Sequence, residues 1–157
     1  PNHWQKSKKK QSSGATTERA EKYRDYFQAF IDDLRENHHF TSAKKGQPQN
    51  WYSFSSGNKI FEYGHSFALN NRVRTDIYID SGDGDENLEY FNMQLAERDR
   101  IEAEFGSKLE WEQMDKRRAC RIAQYRDGSI ESSSDELHEI HKWAIDNLLR
   151  LKKIFGN

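Results

Sequence analysis

Between Arg72 and Asp80 the chain alternates residue by residue. Val73, Thr75, Ile77 and Ile79 fall on one side, and Arg72, Arg74, Asp76, Tyr78 and Asp80 on the other. A period of two with β-branched residues marks a half-buried strand. Such a strand needs neighbours to pair its backbone and a second layer to cover its apolar face. Just upstream, Phe61, Tyr63, His65, Phe67 and Leu69 alternate with Glu62, Gly64, Ser66 and Ala68. Asn70-Asn71 between the two runs marks a tight hairpin, because Asn tolerates positive φ.

The hairpin has two registers, and they lead to different surfaces. With a three-residue loop Leu69 faces Val73 and the two apolar stripes coincide. With a two-residue loop Leu69 faces Arg72, and a one-residue slip exchanges the faces of a strand. The first register gives a plain core and no binding platform. The second sets Phe67 beside Arg74 and Tyr63 beside Tyr78, an aromatic and basic surface able to stack bases. The first buries more apolar area and is the one expected.

The remaining elements follow from periodicity. Thr17 is a plausible N-cap for a helix on which Tyr23, Tyr26, Phe27, Phe30, Ile31 and Leu34 recur at helical spacing, ending near residues 37–39. Gly46 and Pro48 interrupt the chain after it. Strands are predicted over about residues 51–55, 60–69, 72–80, 109–114 and 118–126. Between the third and fourth, Asp83 and Glu86 form a capping box for one helix whose stripe is Leu88, Phe91, Leu95, Ile101 and Phe105, stopped by Gly106. Ser133 and Glu136 open a last helix, with Leu137, Ile140, Ala144, Leu148, Leu151 and Phe155 on one face. Lys152 and Lys153 suit its C-terminal dipole. The expected architecture is an α+β two-layer sandwich. It has a five-stranded, mainly antiparallel sheet and three helices in the order αβββαββα.

At 157 residues the chain suits one domain, expected over residues 17–157. Residues 1–16, with Lys6, Lys8, Lys9 and Lys10, read as a polar linker or tail. Pro1 in place of Met reads as the mark of a processed product or a piece of a longer protein. Only 34% of residues are hydrophobic, but 13% are aromatic, and large rings supply the burial a core needs. The net charge of −1 gives no overall attraction to polyanions, so nucleic-acid contact requires a local basic patch. The single cysteine, Cys120, excludes an internal disulfide and a cysteine-based zinc site, and fits a reducing, cytoplasmic setting. No apolar run approaches the roughly 18–20 residues of a membrane span, and no membrane partner is expected.

Candidate metal sites do not match their patterns. Asp80-Ser81-Gly82-Asp83-Gly84-Asp85-Glu86 is acidic, but a calcium loop needs Glu at position twelve, where Phe91 stands. An Asp-capped turn into a helix explains it better. His138 and His141 are one residue short of the zinc-protease spacing and have no evident third ligand. Glu62, Asp76 and Asp80 lack the lysine of a restriction-type nuclease site. No catalytic residue, metal or cofactor is expected.

The basic candidates are Lys116, Arg117, Arg118 and Arg121, with Tyr125 on the face of Arg121. Arginine grips phosphate bidentately and stacks on rings. The alternative is an ordinary charged turn, with Arg118 or Arg121 paired to Glu110, Glu112 or Asp115.

Gln49-Asn50-Trp51 with Ser53 and Ser55, the strand Val73 with Ile77-Tyr78-Ile79-Asp80 and Gly82-Asp83, Leu109-Glu110-Trp111, and Lys116-Arg117 with Ala119 and Arg121-Ile122 resemble the family called domain of unknown function 4268. The terminal helix with Trp143, Leu148 and Phe155 is similar too, so the resemblance covers most of residues 20–157. The family's motifs carry no assigned chemistry. The resemblance implies a module at the C-terminus of prokaryotic proteins of restriction or defence type, after a nuclease-like domain.

The function expected is a non-catalytic accessory module that helps a DNA-processing protein engage nucleic acid. Lys44, Lys45, Arg72, Arg74, Arg118 and Arg121 are the expected phosphate contacts, and Trp51 and Tyr125 the stacking residues. Steep salt dependence is expected of such binding. The alternatives are a protein-interaction or homodimerisation module, supported by the abundance of Trp and Tyr, and a metal-dependent nuclease.

Overall fold

The computed structural model describes residues 2–114 and 117–156, with side chains from residue 17 onward. The elements are α1 (Asn2–Glu36), β1 (Trp51–Ser55), β2 (Phe61–Ala68), β3 (Arg72–Ile79), α2 (Gly84–Leu95), α3 (Arg98–Phe105), β4 (Glu110–Gln113), β5 (Cys120–Asp127) and α4 (Ser134–Phe155). The chain divides into two compact units, one up to Asn50 and one from Trp51. Among the described residues, no helix is long and apolar enough to cross a membrane.

In the first unit, α1 begins at Asn2, inside the segment expected as a polar tail, so Thr17 lies within the helix instead of capping it. Lys and Gln are good helix formers, and no proline interrupts the run ahead of Thr17. The apolar stripe Tyr26, Phe27, Phe30, Ile31 and Leu34 is buried. The loop after α1 is strapped back onto the helix. Gln28 Nε2 donates to the Lys44 carbonyl (2.9 Å), and the Gly46 N–H donates to Gln28 Oε1 (2.8 Å). Arg35 donates to the Ala43 carbonyl (2.8 Å). The approach at Gly46 is so close that a Cβ there would stand 2.6 Å from the Gln28 backbone nitrogen.

The second unit is built on a five-stranded antiparallel sheet of order β1-β2-β3-β5-β4. Phe61 faces Ile79, Tyr63 faces Ile77, His65 faces Thr75 and Phe67 faces Val73. The apolar stripes therefore coincide, as expected for a three-residue loop. The loop is Leu69-Asn70-Asn71, one residue earlier than expected, which shifts the pairing by two residues and keeps the faces, so Phe67 and not Leu69 faces Val73. Asn70 (φ 62°) and Asn71 (φ 53°) both take the left-handed conformation.

The apolar face continues into β1 through Tyr52 and Phe54, and into β5 through Cys120 and Ile122. Helices α2 and α4 cover it. Phe61 stacks on Tyr90 of α2 (5.9 Å between centroids) and meets Phe155 of α4 edge-on (6.5 Å). Buried Asn147 of α4 donates to Thr75 Oγ1 (3.2 Å), so the polar pair at the centre of this layer is satisfied. Ser133 caps α4 by accepting from the Glu136 N–H, as its sequence predicts.

The single helix expected after β3 is two, and α3 closes on Gly106 in the left-handed conformation. The ten residues from Phe91 to Ile101 advance a continuous helix to roughly 80° off the Phe91 line. The turn at Ala96-Glu97 resets the direction, and Phe91, Ile101 and Phe105 are all buried. Glu102 then fastens α3 to the start of β4, accepting from the Leu109 N–H (2.7 Å) and from Trp111 Nε1 (3.2 Å).

Burial separates the side chains that hold this fold from those that do not. Ile77 is fully buried at the centre of the sheet and Leu69 is 84% exposed at the hairpin tip. Ile77→Ala is expected to cost about 2–5 kcal/mol in urea denaturation. Leu69→Ser should stay within about 0.5 kcal/mol of the wild type.

His65 makes the fold sensitive to acid. Burial of the ring lowers its pKa from 6.5 to about 4, against the upward pull of the Nδ1–H bond to the Arg74 carbonyl (3.0 Å). The unfolded chain then binds a proton that the folded chain refuses. Stability is complete above about pH 6.5 and falls as pH drops toward 4, by roughly 3 kcal/mol at most. Burial raises Asp76, which acts in the opposite sense above pH 3.8, so the useful comparison is with a variant. His65→Gln should show a flatter urea midpoint between pH 7 and pH 4.5 than the wild type. An unchanged profile would remove His65 as the source.

Candidate nucleic-acid interface

The opposite face of the sheet carries the charge. Antiparallel pairing places Trp51 beside Ser66, Ser66 beside Arg74 and Arg74 beside Tyr125, one row across four strands. The next row is Ser53, Gly64, Asp76, Ala123 and Glu110. The third is Ser55, Glu62, Tyr78, Arg121 and Glu112, and Arg72 stands beyond the first row, paired with Ala68 and Asp127. The register was expected to leave no platform on this side. It places arginines and rings there all the same: Arg72, Arg74, Arg121 and Tyr125 come from β3 and β5, and Trp51 joins their row through Ser66 of β2.

Asp76 organises the middle of the face. It is 3% exposed and stands against two guanidiniums, with Oδ2 2.9 Å from Arg121 Nε and 3.5 Å from Arg74 Nε. Neither Nε–H points well enough at an oxygen to count as a hydrogen bond, so these contacts are ion pairs. Glu112 continues the network, accepting from Arg121 Nη1 (3.2 Å) and from the Tyr125 hydroxyl (2.7 Å).

Burial is the largest influence on the Asp76 carboxyl and raises it, while Arg74 and Arg121 pull it back. For Arg121, burial pulls the guanidinium down, but Asp76 and Glu112 outweigh it and hold the pKa above its ordinary value. Two guanidiniums thus clasp two carboxyl groups. The clasp needs Gly64, because a Cβ at that position would collide with Asp76 Oδ1.

Arg72 differs from its neighbours. Its guanidinium lies 4.1 Å over the Tyr125 ring, a cation–π contact, and it makes no ion pair with a carboxylate among the described residues. Trp51 is 51% exposed at the start of the edge strand β1. Small residues Gly64, Ser66 and Ala68 of β2 separate it from the arginines of β3.

The face therefore brings together Trp51, Arg72, Arg74, Arg121 and Tyr125 from the expected site. It does not include Arg118, which lies in the turn before β5. Arg118 Nε donates to Asp80 Oδ1 (2.9 Å), and this bond is the main reason Asp80 sits below its usual pKa. Asn87 ties the same knot by donating to Asp80 and to the Arg118 carbonyl. Lys44 and Lys45 are exposed in the loop of the first unit. Lys116 and Asp115 lie outside the described residues.

Asp76, Glu112 and Tyr78 were not among the expected site residues. Asp76 was legible: it shares a strand face with Arg74 at a spacing of two. Glu112 was not, because its contact with Arg121 depends on which strand lies beside β5.

The acidic turn is a cap, with Asp83 accepting from the Asp85 and Glu86 N–H groups. Among the described residues, no group of three His, Cys, Asp or Glu is placed to hold a metal ion. His138 and His141 are neighbours, with ring centroids 6.5 Å apart.

No curated protein and no solved structure matches the chain. The family model for the domain of unknown function DUF4268 matches residues 22–157, from the middle of α1 to the C-terminal residue. The chain belongs to the DUF4268 family.

Proposed function

We propose that this chain is a non-catalytic accessory module that engages nucleic acid through the charged face of its sheet. The observation that carries the reading is the row Trp51, Arg74 and Tyr125 with Arg72 stacked on Tyr125. Exposed aromatic rings and guanidinium planes are the groups on which bases stack, and arginine is the residue that grips phosphate. The module is proposed to act in the cytoplasm beside a nuclease-like domain of a restriction or defence protein, the setting that the family resemblance implies. A catalytic role for Asp76 is disfavoured, since Arg74 and Arg121 already occupy its carboxylate.

The choice of residue matters for a test. Arg74 and Arg121 each neutralise a buried carboxylate, and removing one partner of such a pair costs about 3–5 kcal/mol of stability. Arg72 has no such duty. Fluorescence anisotropy with labelled DNA and RNA at low salt is expected to show binding by the wild type. Arg72→Ala should weaken it by about 1 kcal/mol, roughly fivefold, with the melting temperature lowered by no more than a few degrees, because the variant loses one exposed cation–π contact. Absence of binding to any oligonucleotide at the lowest salt would overturn the proposal.

A further inference from the structure

Building on the nucleic-acid reading above, we infer that the sheet face takes single-stranded and not duplex nucleic acid. It would hold the strand mainly by stacking on Trp51 and on the Arg72–Tyr125 pair, with few phosphate contacts.

Shape is the first argument. A B-form major groove, about 12 Å wide, admits a helix or a two-stranded ribbon. Trp51 on the edge strand β1 and Tyr125 on β5 belong to strands three spacings apart, about 14 Å, so the rings span most of the width of a five-stranded face. A surface that broad rests against a duplex without reaching its base edges. Unstacked bases of a single strand can lie flat on it, and sequence-tolerant stacking is how sheet surfaces hold single strands.

Charge is the second argument. A duplex binder neutralises many phosphates with free cations. Here Arg74 and Arg121 share Asp76, Arg121 also meets Glu112, and Arg118 is bound to Asp80. That leaves Arg72 as the cation of the face with no carboxylate partner among the described residues. The number of phosphates such a face can neutralise is about one or two, and the salt dependence is correspondingly shallow rather than steep.

The position of the rings is the third. Trp51 is half-exposed and Arg72, whose guanidinium lies over Tyr125, is exposed, whereas Ser66 between them is buried and Ala68 half-buried. The two stacking groups are thus the parts of this strip that meet solvent.

The test uses the 157-residue chain with oligo-dT of about 12 nucleotides, the same length of single-stranded RNA and a duplex of equal length, each within the site sizes typical of such surfaces. Binding is followed by anisotropy between about 50 and 200 mM salt. The expected result is about tenfold or greater preference for a single strand. The slope of log K against log salt should lie near −1, at about −0.7 per phosphate for single strands. Trp51→Ala should weaken single-strand binding at least about fivefold with no change in slope. Strand preference and slope are read on the wild-type chain, so they stand even if that variant proves unstable. Equal or tighter duplex binding, or a slope steeper than about −4, overturns this inference and leaves the nucleic-acid reading in place. Failure to bind any of the three overturns both. In that event, concentration-dependent self-association by light scattering, lost in Trp51→Ala, would assign the face to a protein contact.

Discussion

The pairing of β2 with β3 is the constraint from which the rest of the second unit follows. Phe61, Tyr63, His65 and Phe67 meet Ile79, Ile77, Thr75 and Val73, so the apolar stripes of the two strands point to one layer. A slip of one residue would expose that set to the other side, and the burial of several large side chains, each worth about 1.5–3 kcal/mol, is what prevents it. The same pairing fixes the identity of the opposite face. Once Ile77 points at the helices, Asp76 and Tyr78 must point away from them, and Arg74 and Arg72 follow at the same period.

That opposite face contains a buried carboxylate, which is costly without compensation. Asp76 is tolerated because Arg74 comes from its own strand and Arg121 from the next, with Glu112 bracing Arg121 from the far edge. The cluster links β3, β5 and β4 by charge where the helices link them by apolar packing. Its arginines are held in fixed positions, so the rows above them are held too. The cluster resembles a structural clasp more than a reaction centre, and it spends most of the positive charge of the face on internal partners.

Much of the fold was legible in the sequence, and for local reasons. Strand β3 announces itself by alternation, Ser133 and Asp83 by capping chemistry, and Gly106 by its place after an apolar stripe. The features that were not legible depend on long-range geometry. The turn at Ala96-Glu97 carries no proline or glycine; it forms because one straight helix cannot bury both Phe91 and Ile101. The extent of α1 ahead of Thr17 was missed because Lys- and Gln-rich composition suits a helix as well as a tail. In the site, Trp51, Arg74 and Tyr125 were each recognisable as residue types. That they form one row required knowing that β5, and not β4, lies beside β3.

That strand order also sets a gradient along the face. At the end near Asp80, cations and acids close on one another through Arg118, Asp80 and Asn87, and then through Arg121, Glu112 and Asp76. At the hairpin end acids give way to rings and solvent: Arg72 has a ring and not an acid for its partner, Trp51 is half-exposed, and Leu69 stands clear of the sheet. Internal compensation favours rigidity at the first end, and incomplete compensation leaves contact groups at the second. The ligand proposed above, a nucleic acid, would supply a π-face and a negative charge in every repeat unit, and both suit the hairpin end better than the centre.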